Sequence, residues 1–481
     1  MKKGRRMMKR FGKLGCLVIA GVMLLIGATG CQKNETAEAL YTIDWYIVTG
    51  QVPSSTADVE AKANEYLKDK IGAKLNLNFL TWAQYDSQLN VMNAGGEKYD
   101  ICYTYGDVYK LNAIKNAYLP INELMDQYAP KTKEMLGEEF LKGSQINGQN
   151  YGIPANKDKG HSAGIMYRKD LAEKYGLTEK LNNIQSYDDI YPILDVIKAN
   201  EPTVEPLLEH GPGSTKDLNF FDMAAFPVGM YLDAPDKVVN YVDSPEYKEA
   251  CEKSRYNFLN GYSWLENDET KENYFMTIMG LKAGKDKELN VTRNYEWVQV
   301  ELTDAYMTNQ DATGSIMAIS RTSEQPEKAM QFLELFNTDP YLNNLIVFGI
   351  EGVNYTKIDD NMIEPIADSG YGNAGMQWAF GNTFINYVVK NEDPNKSQEM
   401  KKFNESLIPA KTLGFTFDQE SVKTEAGACL NVKKEFENRL ANGTEDVEIL
   451  LNEYQSKLKA AGAERILAEV QKQYDAWRAS N

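Results

Sequence analysis

Aromatic and acidic side chains occur together at the points where two predicted strands end. Trp82 comes directly after one strand and is followed by Asp86, while Tyr105 and Asp107 lie at the end of the next strand. An aromatic ring covers the apolar C–H face of a pyranose, and carboxylates accept hydrogen bonds from its hydroxyls. Packing alone would explain any one of these rings. Their clustering, in a chain with 29 Tyr and 6 Trp, favours a carbohydrate site.

A hydrolase interpretation depends on Ser162, which lies in the Gly-x-Ser-x-Gly pattern of residues 160–164. In a nucleophile elbow a strand precedes the serine and a helix follows it. Here a polar loop precedes Ser162 and a strand-like segment follows, so the order is reversed. The triad histidine would have to be His210, which lies in a Gly- and Pro-rich loop. We therefore predict no catalytic residue and a protein that is not an enzyme.

Metal and cofactor sites have no support in the residue spacing. The two His residues are 49 positions apart, and Cys102, Cys251 and Cys429 are scattered along the chain. No stretch matches zinc-ligand spacing, a calcium loop or a phosphate-binding glycine-rich loop. Carboxylates are numerous, but the sequence does not show two of them facing each other as a glycosidase needs. We predict no cofactor, no metal and no disulfide framework.

The amino terminus has the pattern of a secretory signal. Residues 1–30 contain seven basic and no acidic residues, and an apolar run covers residues 14–28. That run is shorter than the roughly 20 apolar residues of a spanning helix, and it stops at small residues before Cys31. We predict a lipoprotein signal peptide at 1–30 and a flexible tether at 31–40. The alternative is an ordinary signal peptide cut nearby, with Cys31 as a free thiol.

The charge of the chain limits its partners. Removal of residues 1–30 changes the formal net charge from −17 to −24, because all seven charges that are lost are positive. Nucleic acids and anionic membrane surfaces need clustered Lys and Arg, so neither is a predicted ligand. A neutral or cationic solute is compatible with this charge.

The elements that must position these residues alternate between strand and helix. Residues 41–48 are rich in β-branched and aromatic side chains, and Ser55 with Asp58 forms a predicted capping box for a helix that ends at Gly72. The pattern continues with a strand at residues 74–80, a helix at residues 83–93 and another strand at residues 99–105. This alternation predicts α/β sheets in which ligands bind beyond the carboxyl ends of strands. Roughly 450 mature residues are more than one hydrophobic core usually supports, so we expect two lobes.

Three parts of the chain resemble a known family. Residues 147–177 read NGQNYGIPANKDKGHSAGIMYRKDLAEKYGL, with Tyr-Gly-x-Pro and Tyr-Arg-Lys-Asp elements. Residues 314–355 contain SIMAISRTSEQPEKAMQFLELFNTDP and then NLIVFGIEGVNY. The carboxyl-terminal part contains WAFGN, LGFTFD and, ending at Trp477, KLKAAGAERILAEVQKQYDAW. On these motifs the chain resembles the family 1 extracellular solute-binding proteins of ABC importers, in particular their LplA-type lipoprotein subgroup.

The resemblance implies a two-lobed, periplasmic-binding-protein-like α/β fold. Each lobe is a mostly parallel sheet flanked by helices, and the ligand cleft lies between the lobes. The first lobe is expected at 41–155 and 312–350. The second is expected at 156–311 and 351–481, where it includes a subgroup-specific carboxyl-terminal extension. Hinge closure would then present both lobes to a permease.

The resemblance also implies ligand-binding candidates from both lobes and the crossing between them. These are Trp45, Trp82, Tyr105, Asp107, Asn156, Lys157 and Trp378. Trp45 and Trp82 would stack on sugar rings. Asp107, Asn156 and Lys157 would bind hydroxyls, or Lys157 a carboxylate if the ligand is a uronate.

The leading hypothesis is a monomeric, lipid-anchored receptor that captures an oligosaccharide and delivers it to the permease subunits of an ABC transporter. Lipid on Cys31 would hold it at the outer face of the bacterial cytoplasmic membrane. Three alternatives stay open: a binding protein for a peptide or polyamine, a surface hydrolase that uses Ser162 or paired carboxylates, and an adhesive lipoprotein.

Overall fold

The computed structural model describes residues 40–208, 220–222, 226–265, 272–291, 293–372 and 376–480. Leu40–Asn481 forms one compact unit. The predicted signal peptide, the tether up to residue 39, the predicted lipidation residue Cys31 and His210 lie outside the described residues.

Short strands are distributed along the whole chain. They are β1 (Tyr41–Thr49), β2 (Ala73–Thr81), β3 (Ile101–Thr104), β4 (Gly152–Pro154), β5 (Ser162–Arg168), β6 (Glu205–Leu208), β7 (Phe220–Asp222), β8 (Val228–Tyr231), β9 (Val239–Asn240), β10 (Tyr274–Leu281), β11 (Trp297–Glu301), β12 (Tyr306–Met307), β13 (Ile316–Ile319), β14 (Tyr355–Lys357), β15 (Met362–Pro365), β16 (Val388–Val389) and β17 (Ile408–Pro409).

Helices fill most of the intervals between these strands. They are α1 (Thr56–Ile71), α2 (Trp82–Gly95), α3 (Gly106–Ile114), α4 (Asn122–Tyr128), α5 (Pro130–Leu136), α6 (Glu138–Gly143), α7 (Lys169–Lys174), α8 (Thr178–Asn182), α9 (Tyr191–Asn200), α10 (Pro245–Leu259), α11 (Lys285–Asn290), α12 (Asn309–Thr313), α13 (Pro326–Thr338), α14 (Pro340–Phe348), α15 (Lys396–Ser406), α16 (Lys423–Ala441), α17 (Val447–Ala460) and α18 (Ala463–Ser480). Single 3₁₀ turns occur at Tyr187–Ile190, Tyr241–Asp243, Gln377–Ala379, Thr383–Ile385 and Glu420–Val422.

The first of the two larger sheets has five strands in the order β2-β1-β3-β13-β4. Strand β1 pairs in parallel with β2 and β3, whereas β13 runs antiparallel to β3 and β4. Four strands therefore share one direction. The chain reaches β13 only after it has built the second sheet, so the first sheet is completed by a returning segment.

The second sheet has four strands in the order β11-β5-β10-β6. Strand β5 is antiparallel to both of its neighbours, and β10 pairs in parallel with β6. Three of the four strands therefore share one direction. Each large sheet is mixed, with a single strand that runs against the others.

Helix α1 shows where local sequence signals hold and where they fail. Gly72 has a φ of 61° in the left-handed region and ends the helix as predicted. At the other end, within the described residues, the Ser55 side chain caps no backbone N–H of α1. Its hydroxyl donates instead to the carbonyl of Ser369 at 3.4 Å. The predicted capping box at Ser55 and Asp58 is thus wrong, because a distant loop takes the serine hydroxyl.

The segments that connect the two sheets run side by side. The backbone N–H of His161 donates to the carbonyl of Tyr306 at 3.2 Å, and the Tyr306 N–H donates back at 3.1 Å. The His161 Nδ1 atom lies 2.6 Å from the Asp311 Oδ1 atom. Strand β12 also pairs in parallel with β17. The crossing segments thus form one narrow hydrogen-bonded ribbon.

Hydrophobic side chains form separate clusters around these layers. The cluster of the first sheet also takes in Tyr355, Ile363 and Phe380 from beyond residue 350. Another cluster joins α10 to the carboxyl-terminal helices α16, α17 and α18. The thiols of Cys102, Cys251 and Cys429 are all buried in these clusters. The residue boundaries of the two lobes stay a prediction.

The predicted fold class is confirmed: the chain is α/β, with two mixed sheets flanked by helices. Across the described residues, no helix combines the length and the apolar composition needed to cross a bilayer.

Candidate functional site

An aromatic cluster lies at the carboxyl ends of β2 and β3. Trp82 is the first residue of α2, directly after β2, and Tyr105 follows β3 at the start of α3. The Trp82 ring contacts those of Tyr103 and Tyr105 edge to face, with centroids 5.8 and 6.1 Å apart. The side chain of Trp82 is nevertheless 40% exposed. Strands β2 and β3 lie on either side of β1 and run parallel to it, so their carboxyl ends reach the same edge of the sheet, as the sequence predicts.

Trp378 reaches the same cluster from the far end of the chain. It lies in the 3₁₀ turn Gln377–Ala379 and packs against the hydrophobic cluster of the first sheet. Its ring is almost parallel to that of Trp82, with an interplanar angle of 10° and a centroid distance of 6.2 Å. The structure therefore brings together Trp82, Tyr105 and Trp378, three of the predicted ligand residues.

Polar groups border the aromatic rings. The Tyr105 hydroxyl donates to the Asp86 carboxylate at 2.8 Å, and burial together with this hydrogen bond raises the pKa of Tyr105 to about 12. Asp107 lies in the first turn of α3 and is exposed. Asp86, which the sequence already placed near Trp82, was not one of the seven ligand-binding candidates, although its position four residues after Trp82 on a helix places both side chains on one face.

Asn156 and Lys157 lie where the chain leaves the first sheet. The Asn156 amide donates to the Asn382 side-chain oxygen at 3.0 Å, and the Asn156 carbonyl accepts from the Thr383 N–H at 3.0 Å. These bonds tie the crossing to the segment that carries Trp378. The Asn156 side chain is buried and already bonded within the protein, whereas the Lys157 ammonium lies 3.3 Å from the Asp158 carboxylate.

Lys159, two residues further on, holds the crossing against α5. Its ammonium donates to the carbonyls of Met135 and Leu136 at 3.3 and 2.7 Å, at the carboxyl end of that helix. A cation is favourable there because the helix dipole leaves partial negative charge on the last carbonyls. Burial lowers the pKa of Lys159 to about 8.

Trp45 is not brought to the aromatic cluster. Its side chain is fully buried in the core of the first sheet. The rings of Phe332, Phe336 and Phe380 contact it edge to face, at centroid distances of 5.4, 5.1 and 5.8 Å. A role of Trp45 in stacking on a sugar stays a prediction.

Ser162 lies at the start of β5 and is fully buried. Its hydroxyl donates to the carbonyl of Leu281 at 3.4 Å. Strand β10 pairs beside the buried serine, with Leu281 opposite Ser162, which differs from the exposed turn of a nucleophile elbow. In the part of the chain that the structure describes, no group of three or more His, Cys, Asp or Glu is arranged to hold a metal.

A cavity of about 430 Å³ adjoins the aromatic cluster. Trp378 and Lys157 line it, together with charged residues that the sequence-based prediction did not include. Among these are Lys282, Lys287 and Glu399. These residues carry no local sequence signal. Lys287 and Glu399 lie in polar helical stretches that have the pattern of a solvated surface, and Lys282 is a single lysine directly after β10.

Models of two known protein families match the chain. The family described as bacterial extracellular solute-binding protein matches residues 52–341. A domain of unknown function, DUF3502, matches residues 411–479. The second match covers most of the three carboxyl-terminal helices α16, α17 and α18.

Similar proteins are known from Streptococcus pneumoniae. A carbohydrate ABC transporter substrate-binding protein from serotype 4 is 29% identical over 482 residues, which is 95% of this chain and 95% of that protein. The crystal structure of an N-glycan transport solute binding protein, NgtS, is 28% identical with a TM-score of 0.81, over 91% of this chain and 98% of that one.

Two further NgtS structures contain glycans. The complex with Man1GlcNAc is 29% identical with a TM-score of 0.73, over 90% of this chain and 99% of that one. The complex with Man5GlcNAc is 28% identical with a TM-score of 0.72, over 92% of this chain and 99% of that one.

Proposed function

Because the chain belongs to the family of bacterial extracellular solute-binding proteins, we propose that it captures an oligosaccharide outside the cell for an ABC importer. The predicted family is confirmed by the match over residues 52–341. The role of this family is to bind solutes, and we propose that the present chain likewise binds its ligand without turning it over. N-glycan fragments are the proposed ligands, since NgtS, a similar protein, binds them.

The observation that carries the proposal is the aromatic cluster with its acidic border. Trp82 is 40% exposed although it packs against Tyr103 and Tyr105, so part of a large ring faces solvent. Trp378 lies almost parallel to it and contributes a second ring from a distant part of the chain. Aromatic faces next to a carboxylate such as that of Asp86 suit a ligand with apolar C–H faces and hydroxyl donors.

Delivery would follow from the architecture of the crossing. Two sheets joined by one hydrogen-bonded ribbon can rotate about that ribbon, and ligand held on both sides would favour the closed arrangement. The closed form would then dock on permease subunits. We further propose that lipid on Cys31 anchors the protein at the outer face of the bacterial cytoplasmic membrane.

Calorimetric titration and thermal unfolding of the compact unit Leu40–Asn481, with two glycans as probes and a peptide and a polyamine as comparison solutes, test this function. The probes are Man1GlcNAc, called the short glycan below, and Man5GlcNAc, the long glycan. We expect saturable binding and a gain of about 2.7 kcal/mol in unfolding free energy at 100 times the dissociation constant. Trp82→Ala and Trp378→Ala should each weaken binding by about tenfold or more, because each removes a large apolar contact.

Tyr256→Ala is the matched control, since Tyr256 is an aromatic residue of α10 that is 47% exposed. It should leave glycan affinity unchanged. If only the peptide or the polyamine stabilises the protein, or if no solute does, the carbohydrate function is contradicted. Equal weakening by Tyr256→Ala and Trp82→Ala would contradict the proposed site.

A further inference from the structure

The cavity beside Trp378 has two walls from different parts of the molecule. One wall is the segment 282–291, which follows β10 and contains α11. Leu281 and Leu289 pack this segment against the second sheet. The other wall is the segment 377–400, which packs with the first sheet through Trp378 and Val389. A ligand in this cavity would therefore touch segments that pack on both large sheets. Its volume of about 430 Å³ falls within the range of small-molecule sites.

Trp378 makes the cavity continuous with the aromatic cluster. Its ring stacks toward Trp82 and also lines the cavity. Lys157, next to the buried crossing residue Asn156, lines it as well. A chain of sugar residues that begins at the aromatic rings can thus continue into the cavity without leaving the protein surface.

The charges that line the cavity are nearly balanced. Its described lining contains four Lys and five acidic residues: Lys157, Asp158, Lys282, Lys287, Glu288, Glu392, Asp393, Lys396 and Glu399. The Lys282 ammonium lies 3.2 Å from the Asp158 carboxylate and 2.9 Å from that of Glu288. Across the cavity, Lys287 is paired with both Asp393 and Glu399.

These ion pairs decide which ligand chemistry fits. Burial acts to raise the pKa of Asp158, but Lys282 and Lys157 outweigh it and lower that pKa to about 2, so the pair stays ionised. A charged ligand would have to separate such pairs and leave one partner without its counter-ion, which is costly. A neutral ligand rich in hydroxyls can donate to the carboxylates and accept from the ammonium groups that are already in place. Phe384 and Met400 add apolar surface for C–H faces.

We propose that this cavity is a second sugar-binding subsite, which holds the additional neutral mannose residues of a branched glycan beyond the part bound at the aromatic cluster. This inference rests on the proposed carbohydrate function. According to this inference, the cavity determines the preference for the long glycan over the short one, and uronates do not bind in it.

Filling the cavity tests the subsite. Ser397 lies on α15 and lines the cavity without being part of the ion pairs named above. In Leu40–Asn481, Ser397→Trp should weaken binding of the long glycan by about tenfold or more and leave that of the short glycan unchanged. Gln398→Trp is the matched control, because Gln398 is the next residue of the same helix and is exposed. It should change neither affinity.

The outcomes separate this inference from the function on which it rests. If the wild-type protein binds neither glycan, the proposed function fails, and the subsite fails with it. If the wild type binds both but Ser397→Trp weakens both equally, or neither, the function stands and the subsite is overturned. Should Ser397→Trp not fold, Ala283→Val on the opposite wall gives the same comparison.

Discussion

Replacement of Trp45 by alanine distinguishes a core residue from a ligand residue. In the structure Trp45 is fully buried and has three phenylalanine rings around it, those of Phe332, Phe336 and Phe380. If it acts only in the core, Trp45→Ala should destabilise the protein strongly while the folded fraction binds glycan as before. Trp82→Ala should weaken glycan binding and leave the stability almost unchanged, because Trp82 is 40% exposed.

The expected size of the effect follows from burial. Truncation of a buried aromatic side chain to alanine costs about 3–5 kcal/mol in unfolding free energy. The three edge-to-face contacts place Trp45 toward the upper end of that range. Within the described residues the Trp45 indole N–H finds no hydrogen-bond acceptor, so Trp45→Phe loses less. We expect about 2 kcal/mol or less for that variant, because relief of an unsatisfied N–H offsets part of the lost packing.

Urea unfolding followed by circular dichroism, together with titration by the short glycan, measures both quantities. The expected pattern is a large shift of the urea midpoint for Trp45→Ala, an intermediate one for Trp45→Phe and almost none for Trp82→Ala. Glycan affinity should fall only for Trp82→Ala. A loss of affinity in Trp45→Phe, at nearly wild-type stability, would refute the core assignment and restore Trp45 as a ligand residue.

Three further outcomes follow from contacts described above. Burial lowers the folded-state pKa of Lys159 to about 8, below its ordinary value of 10.5, so the unfolded state binds more protons between these values. Lys159 should therefore contribute stability that increases as the pH rises above about 8, so the free energy of unfolding of Lys159→Met relative to wild type should change with pH in this range, whereas that of the exposed-site variant Lys74→Met should not. Lys287 is 46% exposed, so Lys287→Met should cost only about 0.2–1 kcal/mol, and the difference from wild type should vanish in roughly 1 M salt. A Cβ at Gly152 would lie 2.7 Å from the Met317 carbonyl oxygen and 2.9 Å from the Ala318 Cα, so Gly152→Ala should lower the thermal midpoint, whereas Gly427→Ala, in open space on α16, should not.

The strand ends of the first sheet could be predicted because their signals are local. β-Branched and aromatic residues predict β1, alternating apolar residues predict β2, and parallel pairing then fixes where Trp82 and Tyr105 meet. The alternation of side chains along β1 carried a further signal that the prediction did not use. Trp45 occupies the same face of β1 as Ile43 and Ile47, both of which are fully buried, so the strand period itself indicates a core position.

Other parts of the site depend on contacts between distant residues. No local pattern indicates that Trp378 faces Trp82, or that Lys287 pairs with Asp393 and Glu399 across the cavity. The same holds for Ser55, whose hydroxyl bonds to Ser369 instead of capping α1. Such pairs form only when the two sheets and the returning segments have come together, and a single sequence does not specify their partners.

The buried thiols make the compact unit a convenient background for site-specific labelling. Cys102, Cys251 and Cys429 are its three cysteines, and all are shielded from solvent. Burial raises the pKa of Cys102 to about 12 and that of Cys429 to about 11, which keeps both as unreactive thiols at neutral pH. A maleimide dye would therefore react with one cysteine introduced on each wall of the cavity and leave the native ones unmodified. A dye pair placed in this way would report the distance between the walls in single molecules, with and without glycan, while all native cysteines remain in the sequence.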